Sequence, residues 1–241
     1  MRILVTGRDG QVARSLAERG SDRELIFAGR PELDLADPAS IERTIVTMKP
    51  DLIVSAAAYT QVDQAEDEPA LAMAVNGVAP GAIGAAAAQV GAGVIHLSTD
   101  YVFDGTKDTP YREDDPVAPL GVYGRSKLAG ELALAASGAR HVILRTAWVY
   151  SPFGKNFVKT MLILAGNRDS VSVVADQQGC PTSALDVADA VLHIAERWHD
   201  YPDAVLNRVY HYSGKGVTNW ADFARAIFAA SASQSGPAAA V

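Results

Sequence analysis

A single cysteine, Cys180, stands among 241 residues, so no disulfide can form within the chain, and the thiol fits a reducing cytosol. The five histidines show no zinc-ligand spacing with it, and no metal site is expected. Basic residues are also short: 21 Lys and Arg face 28 Asp and Glu, a formal charge of −7. That balance argues against nucleic acid and against an anionic membrane surface as partners. No apolar run looks long enough to span a bilayer, and no leader precedes the first strand, since Met1-Arg2 runs into Ile3-Leu4-Val5. What is left is a cytoplasmic globule, 49% hydrophobic and 20% charged, able to bury a sizeable core.

The apolar runs are short, and they alternate with helical patterns. Arg2–Thr6, Glu24–Ala28, Asp51–Ala57, Val94–Ser98, His141–Thr146, Val171–Val174 and Arg208–Tyr212 read as strands. Helices are expected from Asp37-Pro38 to Met48, over Pro69–Gly91, from Tyr123, from Asn156, from Ser183 and over Thr218–Ala230 with Thr218 as cap. The order predicts an α/β fold, a Rossmann-type doubly wound parallel sheet with a smaller C-terminal substrate-binding portion. The expected division is residues 1–147 for the dinucleotide-binding unit and 148–230 mainly for substrate, with some elements returning to the sheet. The tail from Ser231 to 241 lacks periodicity and is expected to be disordered.

Between the first strand and helix lies Gly7-Arg8-Asp9-Gly10-Gln11-Val12-Ala13, a turn that lets a pyrophosphate approach backbone at a helix N-terminus. After the second strand no acid stands at the tip, where one would hold the ribose 2′-hydroxyl of NAD. Arg30 is there instead, with Arg8 in the turn, a pair suited to the 2′-phosphate of NADPH; NADH remains open. Small residues Ala56-Ala57-Ala58 end the third strand, where bulk would obstruct a flat ligand. Asp63, Glu66, Asp67 and Glu68 read as an exposed helix start. His96 reads as a packed core histidine.

The reactive pattern is Ser98-Thr99-Asp100 followed by Tyr123-Gly124-Arg125-Ser126-Lys127. Tyr and Lys four apart share a helix face, and an ammonium beside a phenol would lower the phenol pKa. A Thr hydroxyl at the strand end could polarise a carbonyl. The set suits carbonyl reduction with a hydride source nearby. The loop Asp104–Pro119 before that helix is long enough to mark a functional segment.

On these residues the chain resembles the extended short-chain dehydrogenases/reductases, and within them the dTDP-4-dehydrorhamnose reductase family. Its most specific stretches are Ser98–Gly105, Val122–Glu131, Arg145–Tyr150 and Asp176 through Thr182. The resemblance implies a pyrophosphate cradle of Gly7, Gly10, Gln11 and Val12. Asp34 and Leu35 would border adenine, Ala57, Ala58 and Tyr59 the cofactor's inner half, and Leu97 the nicotinamide side. Thr99, Tyr123 and Lys127 match the catalytic triad. Asp100 and Trp148 match substrate-contacting positions, with Asn156 and Gln178 near the nucleotide. It implies hydride transfer from NADPH to the 4-keto carbon of a dTDP-4-dehydro-6-deoxy sugar, a nucleotide-sugar partner, a homodimer left open, and in some relatives Mg2+ at a dimer contact. A non-catalytic NADP-binding regulatory subunit and another nucleotide-sugar reductase or epimerase are the alternatives. Ala13 replaces the family's third glycine, and relatives continue several tens of residues beyond Phe228. The shorter end is expected to weaken substrate binding more than cofactor binding.

Overall fold

The computed structural model describes residues 1–202 and 205–241. Its elements are β1 (Arg2–Thr6), α1 (Gln11–Arg19), β2 (Glu24–Ala28), α2 (Pro38–Met48) and β3 (Leu52–Ser55). A continuous helix follows: α3 (Pro69–Ala72), a π-helical stretch Met73–Val78, and α4 (Ala79–Val90). Then come β4 (Gly93–Thr99), α5 (Val122–Ala135), β5 (His141–Thr146), β6 (Val149–Tyr150) and α6 (Phe157–Ala165). The rest are β7 (Gln178–Gly179), β8 (Thr182–Ser183), α7 (Ala184–Glu196), β9 (Arg208–His211), β10 (Thr218–Asn219) and α8 (Trp220–Ala232).

Six parallel strands form one sheet in the order β2-β1-β3-β4-β5-β9. The chain starts at the second strand of that order, winds outward to the edge through β2, then crosses back to β3, which makes it a doubly wound α/β fold with a crevice at the carboxyl edge of β1 and β3. Alternation along each strand splits the core. Ile3 and Val5 meet Val12 and Leu16 of α1 and Val187, Val191 and Leu192 of α7. Leu4 and Ile53 meet Ile41, Ile83 and Leu134 of α2, α4 and α5 on the other face. So α7 and β9, late in sequence, return to the same sheet as β1. A third, smaller core joins Met161 of α6 to Ala224, Ile227 and Phe228 of α8.

Several expectations are corrected. Pro69–Val90 is long and apolar enough, by length and composition, to cross a membrane; half of its most apolar stretch is buried, with α4 packed against α2 and α5. Ala72, Ala79, Ala86 and Ala87 are buried in the protein, as befits a core helix. Val171–Val174 is no strand: the one bridge, Ser170 to Ala240, lies just before it, and Val171 and Val173 pack into the third core instead. The partner in that bridge is the tail expected to be disordered. Ala240 accepts from Val171 N–H and donates to Asp169 O, while Ala239 and Val241 pack on α6 and α8. Helix α8 starts two residues later than expected, because Asn219 and not Thr218 caps it, accepting from Asp222 N–H at 2.8 Å.

Candidate active site

The first βα turn carries the features of a phosphate cradle. Gly7 has φ +87°, and a Cβ there would lie 3.1 Å from Ala57 Cβ, so the turn and the end of β3 touch only because both are small. Helix α1 begins at Gly10 with no side-chain cap, so its first N–H groups are free for an anion. Gln11 and Val12 are the opening residues of α1. Ala57, Ala58 and Tyr59 lie just past β3, and Leu97 near the end of β4, on the same edge as Gly7 and Gly10. Asp34 and Leu35 sit beyond β2, where Asp34 Oδ1 accepts from Ala36 N–H at 2.9 Å. The donor set, an uncapped helix start beside small residues, fits a dinucleotide.

The expected guanidinium pair is only half present. Arg8 donates to Glu32 Oε2 at 2.8 Å and to Phe27 O, so an acid two residues past Arg30 already holds it. The tip of β2 is therefore not free of acids, because the turn beyond it brings Glu32 back onto Arg8. Arg30 is exposed.

At the carboxyl end of β4, Thr99 is 5% exposed and Tyr123 faces it from the first turn of α5. Thr99 Oγ1 donates to Asp100 Oδ1 at 3.1 Å and accepts from Tyr101 N–H at 3.2 Å. Tyr123 packs edge-on against Tyr101, ring centroids 5.4 Å apart. Close approach is permitted by Gly124: a Cβ there would lie 2.2 Å from Tyr101 O. The glycine between Tyr and Lys therefore seats α5 against the segment that bears Thr99.

Lys127 is 3% exposed, and its Nζ donates to Leu97 O at 2.7 Å. Burial pulls its pKa down to about 8, against the Glu131 carboxylate, which raises it. Tyr123 is pushed up to about 12, mainly by burial, with the Thr99 hydrogen bond opposing and the Asp100 charge assisting. This corrects the expected phenolate. Tyr and Lys do share a helix face, but the ammonium is turned down onto the Leu97 carbonyl, and desolvation of the phenol dominates. In the free protein Tyr123 is a proton carrier, not a base. Burial likewise raises the Asp100 carboxyl.

Helix α5 is braced by groups the sequence did not point to. Asn76, 0% exposed in the π-helical stretch, accepts from Tyr59 N–H and donates to Tyr59 O, both at 2.9 Å, and to Ser126 Oγ at 3.1 Å. It ties the loop after β3 to α5. Glu66 is exposed, as expected of these acids, and it also accepts from Val122 N–H at 2.7 Å, capping α5. Tyr59 donates to Glu68 at 2.7 Å. Beneath the helix, Glu131 binds Arg145 through two bonds of 2.9 and 2.7 Å and accepts from Ser98 Oγ at 2.5 Å.

The substrate-side candidates divide. Trp148 has φ +50° and stacks on Trp220, centroids 3.5 Å apart, within an aromatic group that includes Phe157. Gln178 is exposed on β7 and pairs with Asn219 of β10. Asn156 is committed elsewhere, which weighs against a nucleotide contact. Its Oδ1 caps α6 at Lys159 N–H, and its amide donates to Gln11 Oε1 and Ser151 O. Gln11 thus fastens the glycine turn to α6. Two cavities, of about 690 and 320 Å³, lie at Lys107–Asp115 and between α5 and β5–β9. Neither is lined by Thr99 or Tyr123. No group of three or more His, Cys, Asp or Glu side chains that could hold a metal ion gathers among the described residues.

The model of the RmlD substrate binding domain matches residues 1–241. A dTDP-4-dehydrorhamnose reductase of Sinorhizobium fredii is 52% identical over 229 residues, covering 95% of this chain and 77% of the relative. That of Escherichia coli K12 is 44% identical over 237 residues, covering 95% and 77%. The Bacillus anthracis dTDP-4-dehydrorhamnose reductase, solved in complex with NADP, superposes with a TM-score of 0.91 at 33% identity, covering 100% of this chain and 84% of that one.

Proposed function

The chain belongs to the RmlD substrate binding domain family, and on that premise we propose that it is a dTDP-4-dehydrorhamnose reductase, converting its nucleotide-sugar substrate to dTDP-L-rhamnose with NADPH. The observation that carries this reading is Thr99 and Tyr123 facing each other above a buried Lys127, next to an uncapped helix N-terminus. NADPH, when bound, supplies the hydride. Gly7, Gly10, Gln11 and Val12 would hold its pyrophosphate, and Lys127 its nicotinamide ribose. Tyr123, protonated far above neutral pH, gives its proton to the oxygen of the former 4-keto group as the alkoxide forms. The Thr99 hydroxyl turns from Asp100 to hydrogen-bond that oxygen. Asp100 and Trp148 orient the sugar. A regulatory subunit would not need a protonated phenol and a buried ammonium held together at this edge, and the enzyme reading is preferred for that reason. We further place the enzyme in the cytoplasm as a homodimer, which light scattering on the purified chain would test.

Steady-state NADPH oxidation with dTDP-4-dehydrorhamnose tests the reading: sugar-dependent turnover is expected, and its absence would favour the regulatory subunit. Two further outcomes are expected. Lys127 keeps its charge below about pH 8 and loses it as pH rises through that value, while Tyr123 stays protonated to about 12. Reduction should therefore fall on the alkaline side with an apparent pKa of about 8, read from kcat/KM for NADPH. A profile flat through that range would contradict the assigned role of Lys127. Arg30→Ala should weaken NADPH binding by on the order of 10-fold, one charge-assisted contact, and leave NADH unchanged in calorimetry. Equal wild-type affinities for the two cofactors would remove the 2′-phosphate assignment.

A further inference from the structure

One buried titratable group is unused by this chemistry. His96, on β4 and 2% exposed, lies with Nδ1 3.0 Å from Ser55 Oγ and Nε2 3.4 Å from Lys127 Nζ. A lysine ammonium only donates. Nε2 must then be the bare, accepting nitrogen, and the ring proton must sit on Nδ1 and be given to Ser55 Oγ. Burial, and then the charges of Lys127 and His141, hold the ring neutral. Of the three ammonium protons, one goes to Leu97 O and one to His96, leaving one uncommitted.

We propose that His96 is a positioning residue, which Ser55 fixes as the Nδ1–H tautomer so that Lys127 is held with its one remaining proton free for the cofactor ribose. The inference rests on the reading of Lys127 as ribose holder. The other titratable groups facing this pair are Glu131 on α5 and His141 on β5, and both stay in place in the variants below.

A side-chain amide can replace either ring nitrogen but not both. His96→Asn can serve Ser55 but cannot reach Lys127; His96→Gln brings a carbonyl oxygen toward the position of Nε2. His96→Asn should raise the NADPH dissociation constant by on the order of 10-fold, the scale of one lost hydrogen bond to a charged group. It should also move the alkaline limb of kcat/KM to lower pH, because Lys127 loses an acceptor that favours its charged form. His96→Gln should restore both, and kcat at saturating NADPH should change little in either. Equal behaviour of the two variants, or a wild-type profile for His96→Asn, would overturn the proposal. Nitrogen NMR of the cofactor-free wild type decides the tautomer even if a variant fails to fold. A neutral Nδ1–H ring at about pH 6 is expected; an Nε2–H ring, or one that titrates as an ordinary histidine, would refute it. Should the wild type prove inactive on the sugar, the functional reading fails while the spectrum still tests the placement of the ring proton.

Discussion

Tyr123→Phe should fold like the wild type, bind NADPH with nearly the same affinity, and reduce the sugar more slowly by on the order of 10²-fold or more. The substitution keeps the ring that packs on Tyr101 at 5.4 Å and removes only the hydroxyl beside Thr99. Cofactor affinity is expected to hold because the ribose contact belongs to Lys127, whose Nζ is fixed by Leu97 O and not by the phenol. Lys127→Met should show the opposite division, with a loss of NADPH affinity at least as prominent as the loss of rate. Single-turnover rates and calorimetric affinities separate the two. Full activity in Tyr123→Phe would assign the proton to another donor, and Asp100, whose carboxyl is raised by burial next to Thr99, would be the first to examine.

Glu131→Ala should have the largest effect on stability. The carboxylate is 4% and the Arg145 side chain 6% exposed, joined by two hydrogen bonds, and Ser98 adds a third. Removing the acid strands a buried guanidinium whose Nη1 already has no partner. Breaking such a pair costs about 3–5 kcal/mol, which for a chain of this size lowers Tm by roughly 10 °C. The Phe103 ring, 5.0 Å from the guanidinium, stays and does not compensate. Because the Glu131 charge raises the Lys127 pKa, whatever enzyme remains folded should also lose activity at lower pH. A melting temperature within a few degrees of wild type would mean that water reaches Arg145 and that the pair is not a keystone of α5.

The sheet was legible because its strands are short apolar runs bounded by Gly, Pro and Asp, and β3, β4 and β5 are buried on both faces almost throughout. The placement of Thr99 at a strand end and of Tyr123 and Lys127 on one helix was legible because strand end and i, i+4 spacing are local facts. The misses are of another kind. Asn76 meets Tyr59 and Ser126 from 17 and 50 residues away, and Glu66 caps a helix that begins 56 residues later. No periodicity encodes such pairs. The lowered phenol pKa failed because spacing brings two side chains to one face without saying where the ammonium points, and burial outweighed the expected attraction. The tail failed because its partners, Asp169, Val171 and the core between α6 and α8, are brought to it only by the tertiary fold. Arg8 was misjudged for want of one partner, Glu32, that only the turn after β2 brings near.

The central claim is that this chain moves a hydride to C4 of the dTDP-sugar while Tyr123 delivers the proton. NADPH deuterated at its transferable position, incubated with dTDP-4-dehydrorhamnose and the purified chain, tests it most directly. The account predicts one deuterium at C4 of dTDP-L-rhamnose, formed by the wild type and reduced by on the order of 10²-fold in Tyr123→Phe. Cofactor that binds yet leaves the sugar without deuterium would contradict it.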